Sequence, residues 1–531
     1  MEENKNSSPD LPYSQNYAPY QPKPKVFFSL EKRDQIFALL ALILSLFGVS
    51  VGIWDGFRIG FTVSYILYFI LITVYLAERI QPFPLACGVL AVVGSGVFAV
   101  SEGADVNFFL ILTLFALSAV WIDSLRGSRL PETDIGFLRR IFTSTFGRAF
   151  GNLSASVRSL FLKKDGKTGN LGKILIGCAC ALPVLLVIIP LLVSSDAAFE
   201  GLLSNILDDL AEAIPKAVLG IAFSAGLISY GFSHRFGADV PEKKRDFSGI
   251  DTAITASFLS VLSICYLAYL FSQLAYFFNA FSGILPEEFN AAAYARRGFF
   301  ELCAIAVINF ALLFATFALS RKQDGKPALI VRILSVFICL FTLTITATAF
   351  SKMVMYIGRF GMTRLRITTS AFMVFLSVVF LALLCKYFLP KTPVAKVAVI
   401  AAACVLLVLG YGNVDRVVAS YNINAYHTGA LTSLDVDTVS NLGTAAVPYM
   451  VELTQDSDKK IAKKAEDAVY EEILQLYLLD KDSIRRPEQK PGMWNLSRHR
   501  AYQALDDYLA ANRDSVLTRF NQYDDPVDEL Y

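Results

Sequence analysis

Charge is scarce in this 531-residue chain: Asp, Glu, Lys and Arg make up 18% of it, where average domains carry about 25%. Set against 55% hydrophobic and 13% aromatic residues, that shortage excludes a soluble protein of this length and points to a polytopic membrane protein. Histidine is scarcer still. His234, His427 and His499 stand far apart without a ligand pattern around them, so no metal site is expected. The cysteines (Cys87, Cys178, Cys180, Cys265, Cys303, Cys339, Cys385 and Cys404) fall within or at the edges of apolar runs, which excludes disulfides in the carboxy-terminal segment. A phosphate-cradling glycine loop and a nucleophile elbow are both missing, so neither soluble-enzyme chemistry nor a cofactor is expected. The net charge of +2 is the remainder of 48 basic and 46 acidic side chains, which gives no reason to expect nucleic acid as a partner.

Long apolar runs are what the chain does have. After a polar leader over 1–33, rich in Pro, Asn, Ser and Tyr and too polar to bury a core, the first run covers Gln35 to Trp54. It is longer than a signal-peptide core and reads as a retained spanning helix. Further runs lie at about 61–78, 85–101, 108–125, 171–193, 217–234, 252–283, 298–320, 328–358, 367–388 and 396–412, each long enough to cross a bilayer. The expected fold is an all-α transmembrane bundle of about eleven spans over 34–412, with the lipid bilayer as its first partner.

Short cytoplasmic loops are enriched in Lys and Arg, and the loops here sort by that rule. The leader carries Lys23, Lys25, Lys32 and Arg33, the loop after the fourth run is strongly basic, and those after the sixth and eighth hold Lys243, Lys244 and Arg245, then Arg321, Lys322 and Lys326. Alternate loops are poor in basic residues: "SEGADVN" has none, and "SSDAAFEGLLSNILDDLAEAIPK" is acidic with a single lysine. The amino terminus is therefore expected inside, and eleven crossings put the carboxy-terminal segment outside.

Three groups of arginines run against that pattern: Arg296 and Arg297 in "YARRGFFEL", Arg359, Arg364 and Arg366 in "YIGRFGMTRLR", and Arg416 in "GNVDRVVASYNI". A missed or false span would exchange the sides of some of these loops, and contact with lipid phosphates or capping of helix carboxy ends would account for outward arginines without a ligand. The functional alternative is one cationic patch, since guanidinium forks bind phosphate or carboxylate through paired hydrogen bonds. Glu301 and Lys352 add two charges near the outer ends of the eighth and ninth runs. Ionisable groups at such places pair with each other, snorkel to the interface or line a site.

The segment 126–170 contains "PETDIGFLRRIFTSTFGRAFGN", with Thr133 as a helix cap and Ile135, Leu138, Phe142, Phe146 and Phe150 at helical spacing among basic residues. That pattern predicts an amphipathic helix on the cytoplasmic membrane surface, held there by anionic headgroups or by a partner protein. Gly88, Gly94 and Gly96, and Gly220, Gly226 and Gly231, read as close helix contacts. Over 413–531 the composition becomes that of a small helical soluble domain, predicted outside, with Trp494 as a core residue or an interfacial anchor.

The motifs "YARRGFFEL", "YIGRFGMTRLRI" and "NVDRVVASYNINAY", with "LPVLLVIIPLLVSSDAAF" and "LGTAAVPYM", resemble the bacterial integral-membrane proteins grouped as domain of unknown function 4173, related to group 4153. The resemblance covers about 171–453 and implies a bacterial inner or plasma membrane. It brings no activity or cofactor. Three readings follow: a non-enzymatic sensing or binding protein of the envelope, using its arginine face toward an anionic lipid, a lipid-linked ligand or an envelope protein; a transporter with Glu301 and Lys352 on the path; or a membrane enzyme acting on a lipid-linked anionic substrate, with Glu287, Glu288 or Glu301 as base.

Overall fold

The computed structural model describes residues 30–153 apart from 129, then 155, 156, 159, 197–237, 249–281, and 299–524 apart from 324, 325 and 489. Among these residues the chain is almost wholly helical. Ten helices are long and apolar enough to cross a membrane: α1 (Lys32–Gly48, prolonged by a π-helical turn over Val49–Trp54), α2 (Ile59–Leu76), α3 (Pro82–Ser95, ending in a 3-10 turn), α4 (Ala104–Ser124), α7 (Ala197–Phe236), α8 (Thr252–Phe281), α9 (Phe299–Leu319), α10 (Leu329–Phe360), α11 (Arg364–Phe388) and α12 (Val394–Gly412). They coincide with ten of the expected runs. The run at 171–193 lies outside the described residues.

Between α4 and α7 come α5 (Asp134–Phe142), a π-helical turn over Thr143–Gly147 and α6 (Arg148–Gly151). Thr133 caps α5, its hydroxyl accepting from the Gly136 amide at 3.2 Å. The expected apolar stripe is present and faces outward: Ile135, Leu138, Phe142, Phe146 and Phe150 are all exposed. In one respect the sequence misleads. The acidic stretch read as a loop before the sixth run is helical from Ala197 and continues through Pro215 into α7, because its Ala, Leu and Glu residues are strong helix formers.

Packing divides the spans into two groups. α1, α2, α3, α4, α5 and α7 share one apolar core around Phe37, Phe98, Trp121, Phe137 and Phe232. α8, α9, α10 and α11 build the other, around Leu313, Ile338, Phe380 and Tyr387. α12 joins them: Val394 packs into the second core, Ala395 and Ala403 into the first. Small residues sit at close approaches, as expected. A Cβ on Gly88 would stand 3.0 Å from the Trp121 indole, and one on Gly220 would stand 2.8 Å from Leu46. Gly226 departs from that expectation, since a Cβ there would meet nothing within 4 Å.

Beyond α12 the chain forms α13 (Val414–His427), α14 (Val436–Ser440), α15 (Val447–Leu453), α16 (Lys459–Leu476) and α17 (Leu496–Asp524), with a short hairpin of Leu478–Asp480 against Ser483–Arg485. Asp435 caps α14, accepting from the Thr438 amide at 3.1 Å. The apolar faces of these helices meet in a third core around Val418, Val447, Val469, Ile473, Tyr502 and Leu505, against which Val106, Ile367, Leu406 and Leu409 of the spans and Met362 of the α10–α11 turn also pack. This tail is therefore seated on one end of the bundle. Trp494 is not in its core: it is exposed, and its carbonyl accepts from the Ile59 amide at 3.3 Å where tail and spans meet.

Candidate functional site at the seat of the tail

Two tight turns set the tail-bearing end. The α10–α11 turn passes through Gly361 at φ +75, in the left-handed region, and a Cβ there would lie 2.6 Å from the Asn422 side-chain oxygen. Asn422, on α13, holds the next residue from both sides: its Oδ1 accepts from the Met362 amide at 2.6 Å and its Nδ2 donates to the Met362 carbonyl at 2.8 Å. The α12–α13 turn is made by Asn413, at φ 52, a conformation Asn tolerates better than most residues. Its Oδ1 accepts from the Arg416 amide at 3.2 Å, capping α13, while its Nδ2 donates to the Ser497 hydroxyl at 2.6 Å. The motifs around Arg364 and Arg416 are thus neighbouring corners of one surface.

The arginines on that surface have different environments. Arg364 donates to Asp415, a buried carboxylate on the first turn of α13. Arg366 donates to the carbonyls of Phe360 (2.9 Å) and Gly361 and lies over the Tyr356 ring at 4.3 Å, so it closes the carboxy end of α10. That is the capping role, which needs no ligand. Arg359 is exposed in the last turn of α10. Arg416 is exposed and donates to the Tyr449 hydroxyl at 3.2 Å. Arg296 and Arg297 lie outside the described residues. Glu301, exposed, opens the spanning part of α9, and Lys352 is half-buried on the adjacent α10.

A second carboxylate ties the tail down. Glu102, in the α3–α4 connection, receives Arg58 at 2.8 Å, Arg498 of α17 at 3.4 Å and the Thr444 hydroxyl at 3.0 Å. Asn495 donates to the Phe98 carbonyl at 3.0 Å, and Ser497 to that of Val100 at 2.9 Å. Burial pushes the Glu472 carboxyl above its ordinary range; Arg498 opposes that shift and Glu102 adds to it.

Between these fixtures lies a pocket of about 210 Å³, lined by Asn413, Arg416, Thr444, Tyr449, Glu452 and Arg500 among others. Arg58, Arg364 and Arg498 each have a carboxylate partner. Arg416 and Arg500, by contrast, have no ion pair among the described residues. A cavity with two such guanidinium groups suits an anion. Arg500 and Glu452 carried no signal in the sequence, since each is an ordinary charged residue far along the chain from Arg416; Tyr449 falls in the motif "LGTAAVPYM" and Glu102 in the short loop "SEGADVN", but neither pattern showed what they would meet.

The opposite end of the bundle holds carboxylates that the loop-charge reading passed over. Asp123, at the end of α4, receives Arg140 at 2.5 Å and Arg148 at 3.3 Å. Asp34, on α1, accepts from the Tyr75 hydroxyl at 2.7 Å and pairs with Arg235 at 2.6 Å. Asp134 pairs with Lys386 at 2.6 Å. An acid at the edge of an apolar run was the available clue. Among the described residues no group of three His, Cys, Asp or Glu side chains is placed to hold a metal.

The chain finds no match among curated proteins or solved structures. Its family match runs over residues 66–453, taking in the third and fourth spans that the motif resemblance left out. The group matched is not 4173, toward which the motifs pointed, but the related one. Well over half the chain is covered, and the protein belongs to the family described as Domain of unknown function (DUF4153).

Proposed function

We propose that this membrane protein is a non-enzymatic binding or sensing component of a bacterial plasma membrane, and that it captures an anionic ligand in the pocket of its tail beside the end of α12. The observation that carries this reading is the contrast among the tail-end arginines. Most are neutralised by Asp415 or Glu102 or spent on carbonyls, whereas Arg416 and Arg500 line a cavity whose lining holds one carboxylate, Glu452, and neither forms an ion pair among the described residues. Two guanidinium groups against one carboxylate leave the cavity with an excess of positive charge, which a bound anion offsets.

The pocket faces outside on the loop-charge argument. Between spans, the end away from the tail carries Arg79, Arg126, Arg321, Lys322, Lys326 and Lys391 against Glu78, Glu132 and Asp251, while the tail end carries Asp55 and Glu102 against Arg58. Positive charge collects on the cytoplasmic side. Ser515, exposed on α17, is the place to test this. In an otherwise labelling-silent background, Ser515→Cys is expected to react with an impermeant thiol reagent in intact protoplasts. Labelling that requires lysis would put the tail inside.

Ligand capture is tested with the full-length protein in neutral detergent, following its thermal stabilisation by inorganic phosphate and by dioctanoyl phosphatidic acid. Arg416→Gln and Arg500→Gln are each expected to weaken phosphate binding by about ten- to a hundredfold, and the pair together more than either, since a charge-assisted hydrogen bond contributes about 1.5–3 kcal/mol. Unchanged binding in a correctly folded double variant would remove the pocket as an anion site.

A further inference from the structure

The pocket has one feature that a site for a simple anion would not keep. Glu452, exposed on the last turn of α15 and one turn beyond Tyr449, lines the same cavity as Arg416 and Arg500 and forms no ion pair among the described residues. A carboxylate in the lining of an anion site repels the ligand, at a cost that grows as water is displaced. The repulsion becomes attraction if the ligand carries a cation at the position facing Glu452.

Depth narrows the class further. The pocket begins at Asn413, the residue that ends α12. Tyr411, exposed in the last turn of that span with its hydroxyl donating to the Val93 carbonyl at 2.6 Å, and exposed Trp494 mark this level with aromatic side chains. Aromatic residues at the ends of spans lie at headgroup depth. A ligand reaching the pocket from the bilayer therefore enters headgroup first.

We infer that the pocket takes an aminoalkyl phosphate: the phosphate between Arg416 and Arg500, and the ammonium at Glu452. Phosphoethanolamine is the smallest ligand with that charge pattern, available either free or as the headgroup of a phospholipid. The Tyr449 hydroxyl, already accepting from Arg416 at 3.2 Å, fixes one guanidinium in orientation before the ligand arrives. Its own O–H remains free to donate to a phosphate oxygen. The three charged side chains then complement the three formal charges of a ligand with a doubly ionised phosphate and one ammonium, and the ordinary phospholipid headgroup with a singly charged phosphate fits the same order of signs.

This assignment rests on the anion-pocket reading, and the test separates the two. Full-length protein in neutral detergent is titrated with inorganic phosphate, O-phosphoethanolamine, dioctanoyl phosphatidic acid and dioctanoyl phosphatidylethanolamine. Wild type is expected to prefer each ethanolamine-bearing probe over its partner by roughly tenfold. Glu452→Gln is expected to abolish that preference by weakening the ethanolamine probes while leaving phosphate bound as well or better. Binding of O-phosphoethanolamine identifies the free compound as a ligand; preference confined to the two lipids identifies the headgroup of a phospholipid. Equal affinity for phosphate and O-phosphoethanolamine and for the two lipids, with Glu452→Gln strengthening all four, would overturn the zwitterion assignment and leave the anion site standing. If no probe binds, or if binding is insensitive to Arg416→Gln and Arg500→Gln, the anion reading fails first.

Discussion

Replacing Asp123 by alanine is expected to destabilise the tail-free end of the bundle by about 3–5 kcal/mol, the usual cost of removing one partner from a buried ion pair. The Asp123 side chain is 2% exposed and holds two arginines, Arg140 at 2.5 Å and Arg148 at 3.3 Å. Arg148 also donates to Nδ1 of His234 at 2.8 Å, so that ring nitrogen accepts and the imidazole proton sits on Nε2, toward Ser144 at 3.4 Å. Without the carboxylate, two guanidinium groups and a half-buried segment lose their common counter-charge. The surface helix then has nothing charged to draw its basic face inward. Two measurements check this: thermal unfolding in detergent, and tryptic cleavage at Arg139, which is exposed on α5 and is expected to be cut faster in the variant. Asp123→Asn, which keeps the shape and one acceptor, is expected to fall between. Unchanged melting and cleavage in Asp123→Ala would mean that apolar contacts alone hold α5 and α6 in place.

The same end of the molecule explains what the sequence could and could not say. Spans were legible because burial in lipid writes a simple signal: about 20 apolar residues in a row. The stripe of Ile135, Leu138, Phe142, Phe146 and Phe150 was legible for a related reason, since helical spacing alone fixes which side chains share a face. Even the turns at Gly361 and Asn413 were marked, by arginines on an unexpected side. What stayed hidden were partnerships across long separations. Arg140 and Arg148 counted in the sequence as loop charge, yet both turn inward to an acid at the end of α4. Arg235 meets Asp34 across two hundred residues, and Arg500 joins Arg416 only because α17 folds back over the end of α12. Hydropathy and loop charge are sums over neighbours in the chain, and they carry no information about which distant carboxylate neutralises which cation. For that reason the pocket was half visible: Arg416 and the motif holding Thr444 and Tyr449 stood out, while Glu452 and Arg500 did not. The split among the arginines was equally invisible, since a guanidinium that caps a helix, as Arg366 does, looks in sequence like one that awaits a ligand.

Asp134 and Lys386 are expected to depend on each other more than on any neighbour, and unequally. The two lie 2.6 Å apart with side chains 7% and 8% exposed, Asp134 in the first turn of α5 and Lys386 in the last turn of α11. Each charge is thus at the helix end whose dipole favours it. Removing either still leaves the other buried, at about 3–5 kcal/mol, but what remains differs. In Asp134→Asn the Lys386 ammonium keeps the Thr392 carbonyl at 2.8 Å and the Phe317 ring at 4.8 Å. In Lys386→Met the Asp134 carboxylate keeps one donor, the Ala395 amide at 2.9 Å. Lys386→Met is therefore expected to be the more damaging single change, and the double variant is expected to melt above both, because it removes the uncompensated charge instead of exposing it. The pair also joins three elements: α5 through Asp134, α11 through Lys386, and the start of α12 through Ala395. A double variant that regains stability yet still shows faster cleavage at Arg139 would separate the two contributions, neutralisation of charge on one hand and attachment of the surface helix on the other. Strictly additive losses across the cycle, measured by thermal unfolding in one detergent, would show that the two residues act independently and that the ion pair contributes no coupling.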